Sequence, residues 1–486
     1  MTVQRPRPGW TLALTSAAFF MTALDVLVVV TALPAIHREI GGSLSTLEWV
    51  VNAYLLALAA CIITAAALGD RLGRRRVYTA GLSLFTAGSA ACALAPSAEF
   101  LVAARAIQGI GAAIVTPLSL TILTAAFPAE RRGAVIGIWG GIAGLAVAAG
   151  PVLGGAVTEG LSWHWIFWVN VPIGLVAAVL SGTRLAESYG PATRLDLPGV
   201  GLVSAGSIGV VWGLVRANDA GWGSPEVVAA LGLGLVLMAG FLVWERRVAD
   251  PMLPLRLFRI PAFVAGSATA FLMTGALFSA VFLTSQYFQF ALGFSPLGTG
   301  VRVLPWTTTA LVVAPLAGTL SDRIGTRPLM VAGMLLQGAG LGWFALMASS
   351  GVAYAQLVLP LVIAGVGVSM VLPTTPTAVL SAVAPSDMGK ASGVNNTLQR
   401  FGGAFGVAVV SAVFAANGHL GTAVGVAAGF PPALAVSAVL SVIGAISAMA
   451  VASRRRPATM PTREPMGTAS SPPLFASEVQ PLSQPD

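Results

Sequence analysis

Gly137–Gly155 reads GIWGGIAGLAVAAGPVLGG: nineteen residues without a charge, seven of them Gly and four Ala, with Pro151 inside the run. In water such a segment is a poor helix, because each interior Gly costs about 1 kcal/mol against Ala and Pro about 3 kcal/mol. A bilayer changes the balance. Backbone groups there find no water, so the helix persists, and small residues let neighbouring helices approach closely. The stretch therefore predicts a closely packed, bendable helix in a membrane protein that moves.

Working outward, the whole chain has the same character. It is 56% hydrophobic and 9% charged, against about 25% charged in soluble proteins. Breaking it at charges and turn residues leaves fourteen apolar runs between residues 11 and 452, each close to the twenty or so residues that cross a bilayer. An even number of spans puts both termini on one side. Of the 26 Lys and Arg, 21 fall in the N-terminus, the tail and one alternate set of loops, which the positive-inside rule assigns to the cytoplasm. The net charge of +8 is thereby explained without nucleic acid. The expected location is the cytoplasmic (inner) membrane, multi-pass, with both ends inside. Cys61 and Cys92 lie in apolar runs without zinc-type companions and read as packing residues. Trp163, Trp165 and Trp168 read as interface anchors.

The chain also repeats itself. Ala66–Arg75 reads AALGDRLGRR and Gly318–Arg327 reads GTLSDRIGTR, with Asp322 falling 252 residues after Asp70. At an offset of 256, Gly109, Gly111 and Pro117 answer to Gly365, Gly367 and Pro373, and Gly150 answers to Gly406. Parallel repeats about the membrane normal are one way to build a transporter. The expected organisation is a cytoplasmic N-terminus (1–10), a six-helix bundle (11–182), two inserted helices with a cytoplasmic linker (183–261), a second six-helix bundle (262–452) and a disordered cytoplasmic tail (453–486).

These residues resemble the major facilitator superfamily, in particular its fourteen-helix drug:proton antiporters, from Leu12 to Ala452. The second loop copy completes the pattern G-x3-D-R-x-G-x-R through Gly318, Asp322, Arg323, Gly325 and Arg327; the first has Ala66 for the leading Gly, then Asp70, Arg71, Gly73 and Arg75. Arg105, Gln108, Gly109 and Gly111 form R-x-x-Q-G-x-G, similar to the fourth-helix motif. The opening stretch matches G-x8-G-x3-G-P-x2-G-G at Gly137, Gly150, Pro151, Gly154 and Gly155, with Ala146 in place of one Gly. LDVLVVVTALP at Leu24–Pro34 and WHWIFWVNVPIG at Trp163–Gly174 resemble the first- and sixth-helix signatures. The resemblance implies an all-α integral membrane fold and a proton-coupled exporter of hydrophobic drugs or an antibiotic, working by alternating access.

Asp25 is the one acid clearly inside an apolar run, and such residues usually face the bundle interior on a substrate or proton path. Counted from the helix ends, Arg105 lies within roughly one turn of the same depth, and Gln108 sits on the same face of its helix. At the 256 offset Arg105 maps to Leu361 and Gln108 to Ala364, so the fold itself does not require the charge. Asp25, Arg105 and Gln108 are therefore expected to couple proton and substrate. Asn52, Tyr54, Gln286, Gln289, Asn395, Asn396 and Gln399 are expected to offer polar groups to a mainly apolar cavity, or to act as interhelical glue. The two Asp-Arg-x-Gly loops read as cytoplasmic gates, and Gly137–Gly155 as a packing hinge between bundles.

An enzyme would need a catalytic constellation, and neither a Ser/His/Asp set nor a metal cluster is evident; His37, His164 and His419 lie outside the spans or at their outer edge. No Walker pattern implies ATP. The expected partners are protons, a small hydrophobic substrate and lipid, with the protein monomeric and without a cofactor. A transporter of a metabolite or amphiphilic natural product is the alternative on the same fold, since fold alone never fixes cargo; a non-transporting membrane receptor or enzyme is the less favoured third reading.

Overall fold

The computed structural model describes residues 8–41, 44–189, 196–248, 251, 255–384, 387–420 and 422–451; the expected tail at 453–486 lies outside them. Among the described residues the apolar runs fold into fourteen helical rods. They are α1 (Pro8–Ile40), α2 (Leu44–Leu72), α3 (Arg74–Ala93), α4 (Ala98–Ala126), α5 (Ala129–Gly160), α6 (Trp165–Arg184) and α7 (Leu197–Ala220). They continue as α8 (Pro225–Glu245), α9 (Pro261–Gln286), α10 (Pro296–Thr307 with Thr309–Ile324), α11 (Thr326–Met347), α12 (Tyr354–Ser381), α13 (Met388–Asn417) and α14 (Ala423–Ala448). On length and composition, ten helices among the described residues can cross a bilayer, or eleven with the bent α2 counted as one span. α3 opens on Arg74, Arg75 and Arg76, which dilutes its apolar character.

The helices pack in two equivalent patterns. α4 lies against α2 and α3, with α1 on α5; α12 lies against α10 and α11, with α9 on α13. The repeated glycines explain the close approach. A Cβ at Gly109 would press on the Tyr54 carbonyl of α2, and one at Gly365 on the Trp306 carbonyl of α10. α7 and α8 pack on each other, and α7 rests against α2 and α13. α8 exposes Leu233, Leu235 and Val236, a surface suited to lipid.

α1–α6 meet α9–α14 where α2 touches α13, α5 touches α10 and α1 touches α9. The small residues of α5 allow one of these packings, against α10, and also the close packing of α5 on α1. Gly150 faces Leu27 and Gly154 faces Val28, both on α1, whereas Gly155 abuts the backbone of Pro296 and Leu297 on α10. Gly300 of α10 in turn lies against the Pro151 carbonyl. Ala146 is buried, and the surroundings of Gly137 lie outside those described. The Gly-rich stretch thus packs between α1 and α10, across the line where the halves meet. Gly300→Val should force α10 away from α5, destabilising the protein by about 1–3 kcal/mol as overpacked cores do. It should also raise passive proton leak in reconstituted vesicles; wild-type tightness in the variant would show that this crossing does not seal.

Among the described residues, three hydrogen bonds join the halves near one end. Ser285 Oγ donates to the Val30 carbonyl (3.0 Å), Gln289 Nε2 donates to the Thr31 carbonyl (2.9 Å), and the Leu297 amide donates to Glu159 Oε2 (3.0 Å). Gln289 reaches α1 from a π-helical turn, Tyr287–Ala291, that follows α9.

Candidate functional site

α1, α3, α4 and α6 bring five polar side chains together in the interior. Asp25 Oδ2 accepts from Arg105 Nη1 at 2.5 Å, and Asp25 Oδ1 accepts from Gln108 Nε2 at 2.8 Å and Asn170 Nδ2 at 3.0 Å. Gln108 Oε1 accepts from the same Arg105 Nη1 at 2.7 Å, so its amide orientation follows from chemistry: the carbonyl faces a group that only donates, and the NH2 faces a carboxylate. Ser89 Oγ takes hydrogen bonds from Gln108 and Asn170 and donates to the Phe167 carbonyl. Arg105 Nε is held by the Val50 carbonyl at 3.1 Å. All five side chains are buried, Asp25 being 3% and Arg105 1% exposed. A buried ion pair offsets its desolvation only when its remaining hydrogen-bonding capacity is also used, and here it largely is.

Three donors converge on the Asp25 oxygens, a pattern that suits a carboxylate and leaves a carboxyl proton no acceptor.

A cavity of about 220 Å³ lies between the halves, lined by Phe19, Thr22 and Val26 of α1, Tyr54 of α2, Phe278 of α9, Trp306 of α10 and Gln399 and Arg400 of α13, among others. Asp25, Arg105 and Gln108 are not on its wall. Tyr54 stands between. Its ring lies 4.2 Å below the Arg105 guanidinium, its hydroxyl donates to the Thr22 carbonyl at 3.2 Å, and it also lines the cavity.

A family model described as the Major Facilitator Superfamily matches residues 15–407. The chain belongs to the Major Facilitator Superfamily. The tetracenomycin C resistance and export protein of Streptomyces glaucescens is 35% identical over 85% of this chain and 77% of its own length. The multidrug resistance protein Stp of Mycobacterium tuberculosis is 37% identical over 84% of this chain and 76% of its own. Among solved structures, a peptide transporter POT in complex with sulfate superposes with a TM-score of 0.68 at 17% identity, over 90% of this chain and 94% of that one, a likeness of fold. The protein is a multi-pass membrane transporter, not an enzyme.

Within this superfamily member, Asp25, Arg105 and Gln108 are in contact with one another, and Tyr54 lies between Arg105 and the cavity. Of the cavity candidates, Tyr54 and Gln399 line it. Asn52 and Gln286 are buried away from its wall, without side-chain hydrogen bonds among the described residues. Gln289 joins the halves, Asn395 is buried off the wall, and Asn396 is exposed and donates to the Ser392 carbonyl. Ser89 and Asn170 escaped the sequence reading because uncharged polar residues are common in spans; Asn170 does lie inside the quoted sixth-helix signature. Cys92 does more than pack: its Sγ approaches Gln108 Oε1 at 3.6 Å. Trp163 is not an interface anchor but a buried side chain, 1% exposed, whose Nε1 donates to Glu39 at 2.8 Å.

At the repeated loops the glycines have a local cause. Gly73 and Gly325 take φ of 108° and 86°, in the left-handed region that disfavours a side chain. Asp70 pairs with Arg74 of its own connection at 2.7 Å, and Glu187 lies 3.6 Å from both Arg75 and Arg76. Arg71 and Arg323 are exposed, Arg327 and Gly318 partly so, and the side chain of Asp322 lies outside the described residues.

Proposed function

We propose that this protein exports a hydrophobic drug or antibiotic across the cytoplasmic membrane in exchange for protons. The observation that carries the reading is Tyr54. It touches the cavity on one side and the Arg105 guanidinium on the other, and Arg105 holds Asp25. A molecule pressing on the cavity wall thus reaches the ion pair through one side chain. Protonation of Asp25 removes the charge that anchors Arg105, freeing Tyr54 and reshaping the wall; cargo that favours the original wall favours proton release. The kinship to resistance and export proteins supports drug or antibiotic as the cargo class. With both termini cytoplasmic, the end joined through Val30, Thr31 and Glu159 faces outward, and this conformation is sealed there. The Asp-Arg-x-Gly loops act at the opposite end, with Asp70 and Asp322 as gate residues. The protein works as a monomer, with protons and cargo as its only ligands.

The test is substrate-dependent proton movement in vesicles reconstituted with the purified protein, screened over neutral, cationic and anionic hydrophobic drugs. At least one compound should drive proton flux and be driven uphill by an imposed pH gradient. Silence across a broad panel would overturn proton exchange.

A further inference from the structure

Arg400 has no part in the network around Asp25. It sits on the cavity wall in the middle of α13, beside Gln399, with Tyr54 as its electrostatic neighbour. Among the described residues its side chain makes no ion pair and no hydrogen bond. The described wall carries no carboxylate, and the nearby acid, Asp25, is already neutralised by Arg105 behind Tyr54. The cavity therefore presents one uncompensated positive charge among Phe19, Leu277, Phe278, Trp306 and Leu372. A charge in such surroundings is costly until something pairs with it. The fold does not ask for it: at the 256 offset Arg400 corresponds to Gly144, so the equivalent helix of the first half is built with no side chain at that point.

We infer that the cavity is built for an amphipathic anion, whose carboxylate, phenolate or enolate oxygens pair with the Arg400 guanidinium while its apolar rings lie against Phe19, Phe278 and Trp306. Guanidinium suits this role because its planar fork meets two oxygens at once and is more weakly hydrated than an ammonium. The Gln399 amide beside it offers a neutral donor, and the Tyr54 face of the cavity carries the occupant's presence to Arg105. Cationic amphiphiles meet like charge and are disfavoured. This inference rests on the transporter reading, and binding is measured apart from transport so that the two can fail separately.

The experiment uses the full-length purified protein and three labelled probes that share one naphthyl ring and differ in head group: carboxylate, carboxamide and ammonium. Equilibrium dialysis should show the carboxylate bound roughly tenfold or more tightly than the carboxamide, the range of a charged hydrogen bond, with the ammonium weakest. Arg400→Gln should abolish the preference, bringing carboxylate binding down to the level of the carboxamide, while carboxamide binding that remains measurable reports an intact cavity; Arg400→Lys should retain part of the preference. Equal binding of the three probes to wild type, or a carboxylate preference that survives in Arg400→Gln, overturns the inference. If the preference is present but no pH gradient moves any probe in vesicles, the anion site stands and proton exchange fails. Proton-driven export of the ammonium probe without carboxylate binding is the reverse result.

Discussion

Asp25→Asn is expected to reduce uphill export to the level of empty vesicles, while cargo still binds in the cavity but more weakly than to wild type. The side chain keeps nearly the same shape but can no longer cycle between carboxylate and carboxyl. Whichever way its amide turns, its nitrogen meets a donor, either Arg105 Nη1 or the pair Gln108 Nε2 and Asn170 Nδ2, so the variant resembles the protonated site, with Arg105 released from its counter-charge. Arg105 still has Gln108 Oε1, the Val50 carbonyl and the Tyr54 ring, so the loss of stability stays below the roughly 3–5 kcal/mol of an outright broken buried pair. The measurement is accumulation against a gradient, with probe binding on the same preparation as the control for folding. A folded Asp25→Asn protein that concentrates cargo normally would remove Asp25 from the coupling.

Arg105→Ala is expected to be the most damaging single change to stability. It strips a 1% exposed guanidinium from Asp25, Gln108 Oε1 and the Val50 carbonyl at once, and leaves a carboxylate buried without a counter-charge. Breaking a buried pair in this way costs about 3–5 kcal/mol. The double variant Asp25→Asn with Arg105→Gln removes both charges together and should be more stable than the sum of its single changes predicts, by about 0.5–3 kcal/mol. Unfolding midpoints of the four proteins decide this. Strict additivity would mean that the contact between the two residues contributes nothing to the folded state. Arg105→Lys supplies the charge but not the fork that serves Asp25, Gln108 and Val50 together, so it should recover more stability than transport.

Much of this site is legible in the sequence, for a specific reason. A charge inside an apolar run is so costly that Asp25 and Arg105 stand out against their surroundings in one dimension. Direction was not visible. Arg105 and Arg400 look alike in sequence, yet one is locked into an ion pair behind Tyr54 and the other faces the cavity. Tyr54 itself carried no sign of lying between the two. Likewise Asn52 and Asn396 share helices with lining residues but point elsewhere, because a helix turns about 100° per residue and depth says nothing of rotation. The loop glycines were legible as a repeat; that Gly73 and Gly325 hold left-handed turns needed the backbone.

Sequence alone determined that this is a fourteen-helix membrane transporter of the major facilitator superfamily with a charge buried in its first helix. Two demands leave that record: hydrocarbon requires every backbone group to be satisfied within a helix, and it penalises each charge where it stands. Both act residue by residue, so composition and spacing register them. Only the tertiary structure decided that the Gly137–Gly155 helix packs between α1 and α10, that Asp25 is gripped by residues 80 and 145 positions away, and that Arg400 is the charge left facing the cavity. Those outcomes depend on how each helix is rotated against its neighbours, and that rotation is set by packing many small and large side chains at once.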